Sequence, residues 1–290
     1  MIKNISFSCL ILIFLINGCS FKTKKEETSN KLNLFVTVIP QIGIVKQIAG
    51  DLVNVTALVS TGTCPETFSP SPKQIESLSN ADLFFSLGLP FEEIWLKKIH
   101  GAKNSLKIIP MSKGIVFRNI DEHEKDRHGN IHGDKDPHIW FSLKNADIMA
   151  QNTATLLSEL MPQHKHIFSK NLDNYKTKIK ILDIKIKEKS SKIKNKKIYV
   201  FHPVFGYIAD EYGFTQLSIE VEGKEPSAKQ LAKLILDFKE QKVSTIFIEP
   251  EFSSKTPETI AKELNAKLIS VSIYDENILN SIEGFVDRWN

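Results

Sequence analysis

Two histidines, one in each half of the chain, are the side chains best suited to chemistry. His138 lies in DPHIW, just ahead of a helix-like run, and His202 closes an apolar, strand-like run in YVFHPVFGY. Alone, the first would cap a helix and the second would hydrogen-bond a backbone carbonyl. As a pair drawn from both halves, they favour a borderline metal ion, for which imidazole is a preferred ligand.

Carboxylates are the natural supplement, because two histidines are too few for a tight tetrahedral zinc site. Glu66, in GTCPETFSP, follows the second predicted strand, and Glu249 and Glu251 flank Pro250 at the end of a later strand. Ligands of open parallel sheets gather beyond the carboxyl ends of the strands. The sequence therefore predicts the site among these loops.

The elements that position these residues alternate along the chain. Strand-like and helix-like runs follow one another from LNLFVTVIP, stop at the hydrophilic loop, and resume at KKIYVFH. Four predicted strands precede a long helical segment and four follow it, an order typical of parallel sheets covered on both faces. Apolar residues recur in the segment at spacings of three, four or seven, and a 30-residue helix would be ~45 Å long. We predict an α/β fold with two parallel-sheet lobes joined by a long rigid α-helix, and the metal site in the cleft between them.

The N-terminus has the pattern of an export signal. Lys3 precedes the apolar run ISFSCLILIFLI, which is too short to span a bilayer comfortably, and small residues lead to Cys19, as in a bacterial lipoprotein signal. Asn17 is unusual there, so an uncleaved anchor or an ordinary secretory signal stays open. We divide the chain into a signal peptide at 1–18, a lipidated tether at 19–31, an N-terminal lobe at 32–161 with a histidine-bearing loop at 114–137, a connecting helix at 162–195, and a C-terminal lobe at 196–290.

Composition excludes several classes of function. The 290-residue chain has 41% hydrophobic residues and a net charge of only +4, and it carries no nucleic-acid-binding motif or distributed basic groove. Once Cys9 leaves with the signal and Cys19 carries lipid, Cys64 has no partner for an intramolecular disulfide. A zinc hydrolase is disfavoured, because the sequence contains no H-E-x-x-H and no evident further general base.

Six segments in order resemble the metal-binding receptors of zinc and manganese ABC importers, of the zinc-uptake type. These segments are QIAGDLVNVTALVSTG, PETFSPSPKQIESLSNADLFFSLG, DPHIWFSLKNADIMAQNTATLL, VFHPVFGYIADEYG, EGKEPSAKQLAKLI and IFIEPEFSSKTPETIAKEL. The resemblance covers nearly all of the chain after the tether. It implies a receptor, not an enzyme, with a metal ion held between two lobes and only small local opening.

The resemblance also implies a ligand set. His138 and His202 match the second and third ligands, and a histidine at 202 is similar to zinc receptors rather than manganese receptors, which usually have glutamate there. Glu66 stands where the first ligand is usually histidine, and we interpret it as the third ligand here or, alternatively, as a solvent-facing turn residue. The last-lobe aspartate falls on Ser272, so that Asp275, Cys64 or water is left as the fourth ligand.

The resulting hypothesis is capture of extracytoplasmic Zn²⁺ and its delivery to a membrane permease. We expect a monomer anchored in the periplasm or at the cell surface through Cys19, at the inner or the outer membrane, with an affinity that falls below about pH 6 as histidines protonate. The alternatives are a manganese or iron receptor of the same fold, favoured by the harder carboxylate, and an adhesin-like lipoprotein with a degenerate site. His123, His128 and His132 either scavenge metal or belong to a solvated linker.

Overall fold

The computed structural model describes residues 31–63, 65, 68–88, 92–97, 106–119, 135–220, 225–251 and 255–289. Several residues singled out above lie outside this part of the chain, namely Cys19, Cys64, Glu66, His123, His128 and His132. From Lys31 onward the chain forms one compact unit. The strands are β1 Leu32–Val36, β2 Val53–Ala57, β3 Leu83–Ser86, β4 Lys107–Pro110, β5 Lys197–Val200, β6 Thr215–Ser218, β7 Thr245–Ile248 and β8 Lys267–Ser270. The helices are α1 Ile39–Ala49, α2 Pro72–Ser79, α3 Leu143–Leu160, α4 Lys165–Lys192, α5 Gly206–Glu211, α6 Ala228–Glu240, α7 Lys255–Leu264 and α8 Ile278–Asp287.

The eight strands form two four-stranded sheets in the orders β2-β1-β3-β4 and β6-β5-β7-β8. In the described part of the chain, the pairs that these strands form are all parallel, which confirms the predicted α/β fold. In each sheet the strand order reverses once, between β1 and β3 and between β5 and β7. Ligands of such sheets bind in the crevice at this reversal, beyond the carboxyl ends of the strands.

The first strand is shorter than LNLFVTVIP suggests, because a helix begins within that run. β1 ends at Val36 and α1 starts at Ile39, with Pro40 in its first turn, where proline costs no hydrogen bond. The side chain of Gln41 accepts hydrogen bonds from the backbone N–H groups of Thr37 (2.9 Å) and Val38 (3.0 Å). These bonds close the turn that connects β1 to α1.

The long helix α4 packs against both halves of the chain. It contacts α1 and α3 of the first half and α8 of the second. Its buried face consists of Phe168, Leu172, Tyr175, Ile179, Leu182, Ile186 and Ser190. At 28 residues the helix is about 42 Å long, so one continuous element packs against helices of both halves.

The two lobes also share a hydrophobic core. One buried cluster contains residues of both sheets together with α3, α4 and α8. At its centre the rings of Phe205 and Phe285 stack with centroids 4.3 Å apart, and Phe141 packs edge-on against both. Because side chains of this kind are close-packed, the lobes are not free to separate without exposing the cluster.

Membrane-spanning helices are not found among the residues described here, since none of their helices combines sufficient length with sufficient hydropathy.

Candidate metal centre

The two histidines lie next to each other although 64 positions separate them in sequence. His138 precedes α3, and His202 lies two residues beyond β5. Their ring centroids are 5.2 Å apart, with the planes at 85°. A tetrahedral zinc ion with Zn–N bonds of 2.0–2.1 Å would place the centres of two bound imidazoles roughly 5 Å apart. The pair is therefore spaced to bind one metal ion.

The buried His138 is oriented by Asp136. Oδ1 of Asp136 lies 2.9 Å from Nδ1 of His138 and accepts its backbone N–H at 3.0 Å, while Oδ2 lies 2.8 Å from Nη1 of Arg118. Burial alone would raise the pKa of Asp136, but the hydrogen bonds and charge of His138, together with the hydrogen bond from Arg118, outweigh it and hold that pKa below its ordinary value. An ionised carboxylate only accepts hydrogen bonds. Nδ1 therefore carries the proton, and the lone pair of Nε2 is left to bind metal.

His202 has an equivalent partner in the second lobe. Its Nδ1 lies 2.6 Å from Oε2 of Glu220, and the side chains of both residues are largely buried. Glu220 follows β6, the neighbour of β5 in the sheet. A carboxylate behind a metal-binding imidazole fixes the ring and strengthens it as a ligand. Both histidines thus have Nδ1 next to a carboxylate.

Two further carboxylates, those of Glu249 and Glu251, follow the end of strand β7 next to His202. Val200 of β5 is the register partner of Phe247, so His202 and Glu249 both lie two residues beyond that pair. Glu249 is 2% exposed, and neither of its carboxylate oxygens bonds to another described residue. Burial raises its pKa to about 8, the negative charges of Glu220 and Glu251 add to the rise, and His202 opposes it.

Glu251 lies three residues beyond the same end of β7. Oε1 of Glu251 accepts a hydrogen bond from Oγ of Ser272, and Oε2 is buried without a hydrogen-bond partner among the described residues. A Cβ on Gly62 would lie 3.4 Å from the carbonyl oxygen of Glu251. The loop of the first lobe that leads to Glu66 therefore approaches the second lobe at this point.

The other expected ligands are placed less completely. Asp275 is exposed, and its Oδ1 accepts the N–H of Asn277 at 2.8 Å ahead of α8. Ser272, where the resemblance expects an aspartate, faces the carboxylate of Glu251 instead. Within the described ranges, no three His, Cys, Asp or Glu side chains converge closely enough to hold a metal. The structure thus supplies a pair of histidines with their orienting carboxylates, to which further ligands must be added.

Sequence reasoning had not assigned a role to Asp136 or Glu220. The signal for Asp136 was available, because a carboxylate two residues before a histidine is well placed to bond its ring. Glu220 gave no such signal, since it meets His202 only through the pairing of β5 with β6.

The fold has two parallel-sheet lobes, and a histidine from each lies beside the other, an arrangement suited to a receptor that holds a metal ion between its lobes. The sequence profile of the family described as "Zinc-uptake complex component A periplasmic" matches residues 34–283. This chain belongs to that family.

Individual relatives agree with this assignment. The chain is 31% identical over 286 residues to the high-affinity zinc uptake system protein ZnuA of Bacillus subtilis strain 168, covering 96% of this chain and 86% of that protein. It is 28% identical over 298 residues to the manganese ABC transporter substrate-binding lipoprotein PsaA of Streptococcus pneumoniae, covering 96% and 93%. A crystal structure of ZnuA superimposes with a TM-score of 0.81 at 30% identity, covering 89% of this chain and 98% of that one.

Proposed function

We propose that this protein captures extracytoplasmic Zn²⁺ between its lobes and delivers it to the permease of an ABC importer. The observation that carries the proposal is the spacing of His138 and His202, whose centroids lie 5.2 Å apart. Carboxylates lie next to Nδ1 of both rings, an arrangement typical of imidazoles that bind a borderline metal through Nε2. Metal capture of this kind involves no covalent chemistry, and the protein is therefore a receptor and not an enzyme.

We propose Glu66, His138 and His202 as metal ligands. Support for Glu66 comes from its loop, because Gly62 in the same loop approaches the carbonyl of Glu251. A carboxylate oxygen is an accepted zinc ligand at about 2.0–2.2 Å. The lobe boundaries at 161 and 195, the monomeric state and the anchor through Cys19 belong to the same proposal.

Manganese is the second candidate cargo. Glu249 and Glu251 bring two hard oxygen donors to the end of β7 beside His202, and manganese prefers carboxylates more than zinc does. The histidine pair favours zinc.

Calorimetric titration of the metal-stripped protein with Zn²⁺ and Mn²⁺ tests the proposal. We expect tight 1:1 zinc binding that Glu66→Ala weakens, while Glu76→Ala, an exposed glutamate on α2, leaves it unchanged. Zinc binding that Glu66→Ala leaves unchanged would still support a zinc receptor, but it would show that Glu66 is a solvent-facing residue and not a ligand. Absence of zinc binding, or a clear preference for manganese, would overturn the assignment of zinc.

A further inference from the structure

The short helix α5 begins close to His202 and is held at a fixed place relative to it. The helix starts at Gly206, four residues after the histidine. Within the turn between them, Val204 donates its N–H to the carbonyl of His202 at 2.9 Å. The N–H of Phe205 donates to Oε1 of Gln216 on β6 at 2.7 Å. The position of His202 and the start of α5 are therefore determined together.

The same helix is also bonded to the segment that carries His138. The buried hydroxyl of Tyr207, in the first turn of α5, donates to the backbone carbonyl of Asp136 at 2.8 Å. At the other end of the helix, the carboxylate of Glu211 accepts the hydroxyl of Ser142. His138 lies between these two points of attachment, two residues after the first and four residues before the second. A single helix of the second lobe therefore supports both histidines.

Close packing adds to these hydrogen bonds. The ring of Phe205, just before α5, lies edge-on against Phe141 with centroids 5.0 Å apart. At the first position of the helix, a Cβ on Gly206 would lie only 2.0 Å from Nη1 of Arg118, so the side chain of the first half fits against a residue that has none. Elements packed this closely have little freedom to shift against one another.

We propose that Tyr207 is a positioning residue for metal capture, which keeps His138 in place beside His202 without touching the metal ion. Its hydroxyl holds the backbone of Asp136. The carboxylate of Asp136 in turn accepts the backbone N–H of His138 and lies 2.9 Å from its Nδ1. Ligands that are held in position before binding lose less conformational freedom when the ion arrives. The inference rests on the proposed function, because it concerns the same pair of histidines.

Calorimetric titration of the metal-stripped protein with Zn²⁺ provides the test, with Tyr207→Phe as the variant. Phenylalanine keeps the buried ring and removes only the hydroxyl. We expect zinc affinity to fall about three- to tenfold, the range for the loss of one hydrogen bond. Tyr212→Phe is the matched control, because the hydroxyl of Tyr212 donates to Oδ1 of Asp183 on α4 at 2.9 Å and has no bond to the segment of His138. This control should bind zinc as the parent does.

Hydrogen exchange in the metal-free proteins separates a positioning role from a general loss of stability. The backbone N–H of His138 donates to Oδ1 of Asp136 at 3.0 Å. Its exchange should be faster in Tyr207→Phe than in the parent or in Tyr212→Phe, because the carbonyl of Asp136 is no longer held. The N–H groups of the β1–β2 ladder, which lie in the other lobe, should exchange at the parental rate in all three proteins.

Parental zinc affinity in Tyr207→Phe would overturn this inference, and so would an equal loss of affinity in Tyr212→Phe. Exchange at His138 that the loss of the hydroxyl does not accelerate would overturn it as well. A parent that does not bind zinc would overturn the proposed function itself, whereas the exchange comparison, which needs no metal, would still test the link between Tyr207 and His138.

Discussion

The guanidinium of Arg118 and the carboxylate of Asp136 form a buried ion pair at 2.8 Å directly behind His138. The same guanidinium reaches Asp210 of α5 at 2.9 Å through Nε. One cation therefore joins the residue that orients a histidine to the opposite lobe. The hydroxyl of Tyr207 reinforces the link by donating to the backbone carbonyl of Asp136 at 2.8 Å.

Asp136→Asn should weaken zinc binding by about 10–100-fold, the usual effect of losing a carboxylate behind a metal-binding histidine. The new amide can donate to Nδ1 and so stabilise the tautomer whose Nε2 carries a proton. Calorimetry with Zn²⁺ measures the change. Asp210→Asn is the control, because that carboxylate contacts the same arginine but is 58% exposed. Equal affinities in the two variants would contradict the orienting role of Asp136.

Gly43→Ala should lower the free energy of unfolding by about 1–3 kcal/mol, the range for overpacking. A Cβ at this position of α1 would overlap the backbone carbonyl oxygen of Glu276 in the loop before α8. Chemical denaturation measures the loss. Gly284→Ala in α8 meets only the flexible end of Arg288 at 3.5 Å and should stabilise by about 0.5–1 kcal/mol. Stabilisation by both substitutions would show that α1 can move away from the loop.

Ile186→Ala should cost about 2–5 kcal/mol of stability, because the side chain is fully buried on α4. Ile184, one half-turn away on the same helix, is 58% exposed. Ile184→Ala should change stability by no more than about 0.5 kcal/mol, in the stabilising direction if helix propensity dominates. Thermal and chemical denaturation measure the stability of the two variants. Similar losses of stability in both would contradict the inward orientation of Ile186.

Glu211→Gln should flatten the pH dependence of stability in the metal-free protein. Glu211 bonds to Oγ of Ser142 and to the N–H of Leu143 at the start of α3. Burial raises its pKa, and these hydrogen bonds only partly offset the rise. The folded protein thus binds this proton more tightly than the unfolded chain.

The direction of this pH dependence follows from the linkage between proton binding and folding. Stability contributed by protonated Glu211 is complete below its unfolded pKa, near 4.5, and is lost as the pH rises through the higher folded value. Denaturation at a series of pH values from 4 upward should show a steeper decline in the parent than in Glu211→Gln. Parallel curves for the two proteins would contradict the raised pKa.

Much of the fold could be predicted from the sequence, because its strands are continuous apolar runs and its helices have regular apolar spacing. The runs LFFS and TIFI give strands that are buried almost throughout, as is typical of parallel sheets. The run LNLFVTVIP extends four residues beyond the end of β1, since Val38, Ile39 and Pro40 suit a strand end as well as a helix start. Only the capping bonds of Gln41 decide between them.

The site was less predictable. Two histidines at strand and helix boundaries predicted a shared centre, and the structure brings their rings together. The position of Glu249 at a strand end marked it as a candidate site residue, but its burial was not predicted. That burial depends on β5 and β8 flanking β7, which is a property of the sheet order and not of any one segment.

Trp140 should report metal binding through its intrinsic fluorescence. Its indole ring packs edge-on against His138, with centroids 5.4 Å apart, while Nε1 donates to the carbonyl of Ile273 at 2.9 Å. A charged ion bound to that imidazole changes the electric field at the indole. The fluorescence of the protein should therefore shift on loading, and Trp140→Phe should remove most of that optical signal.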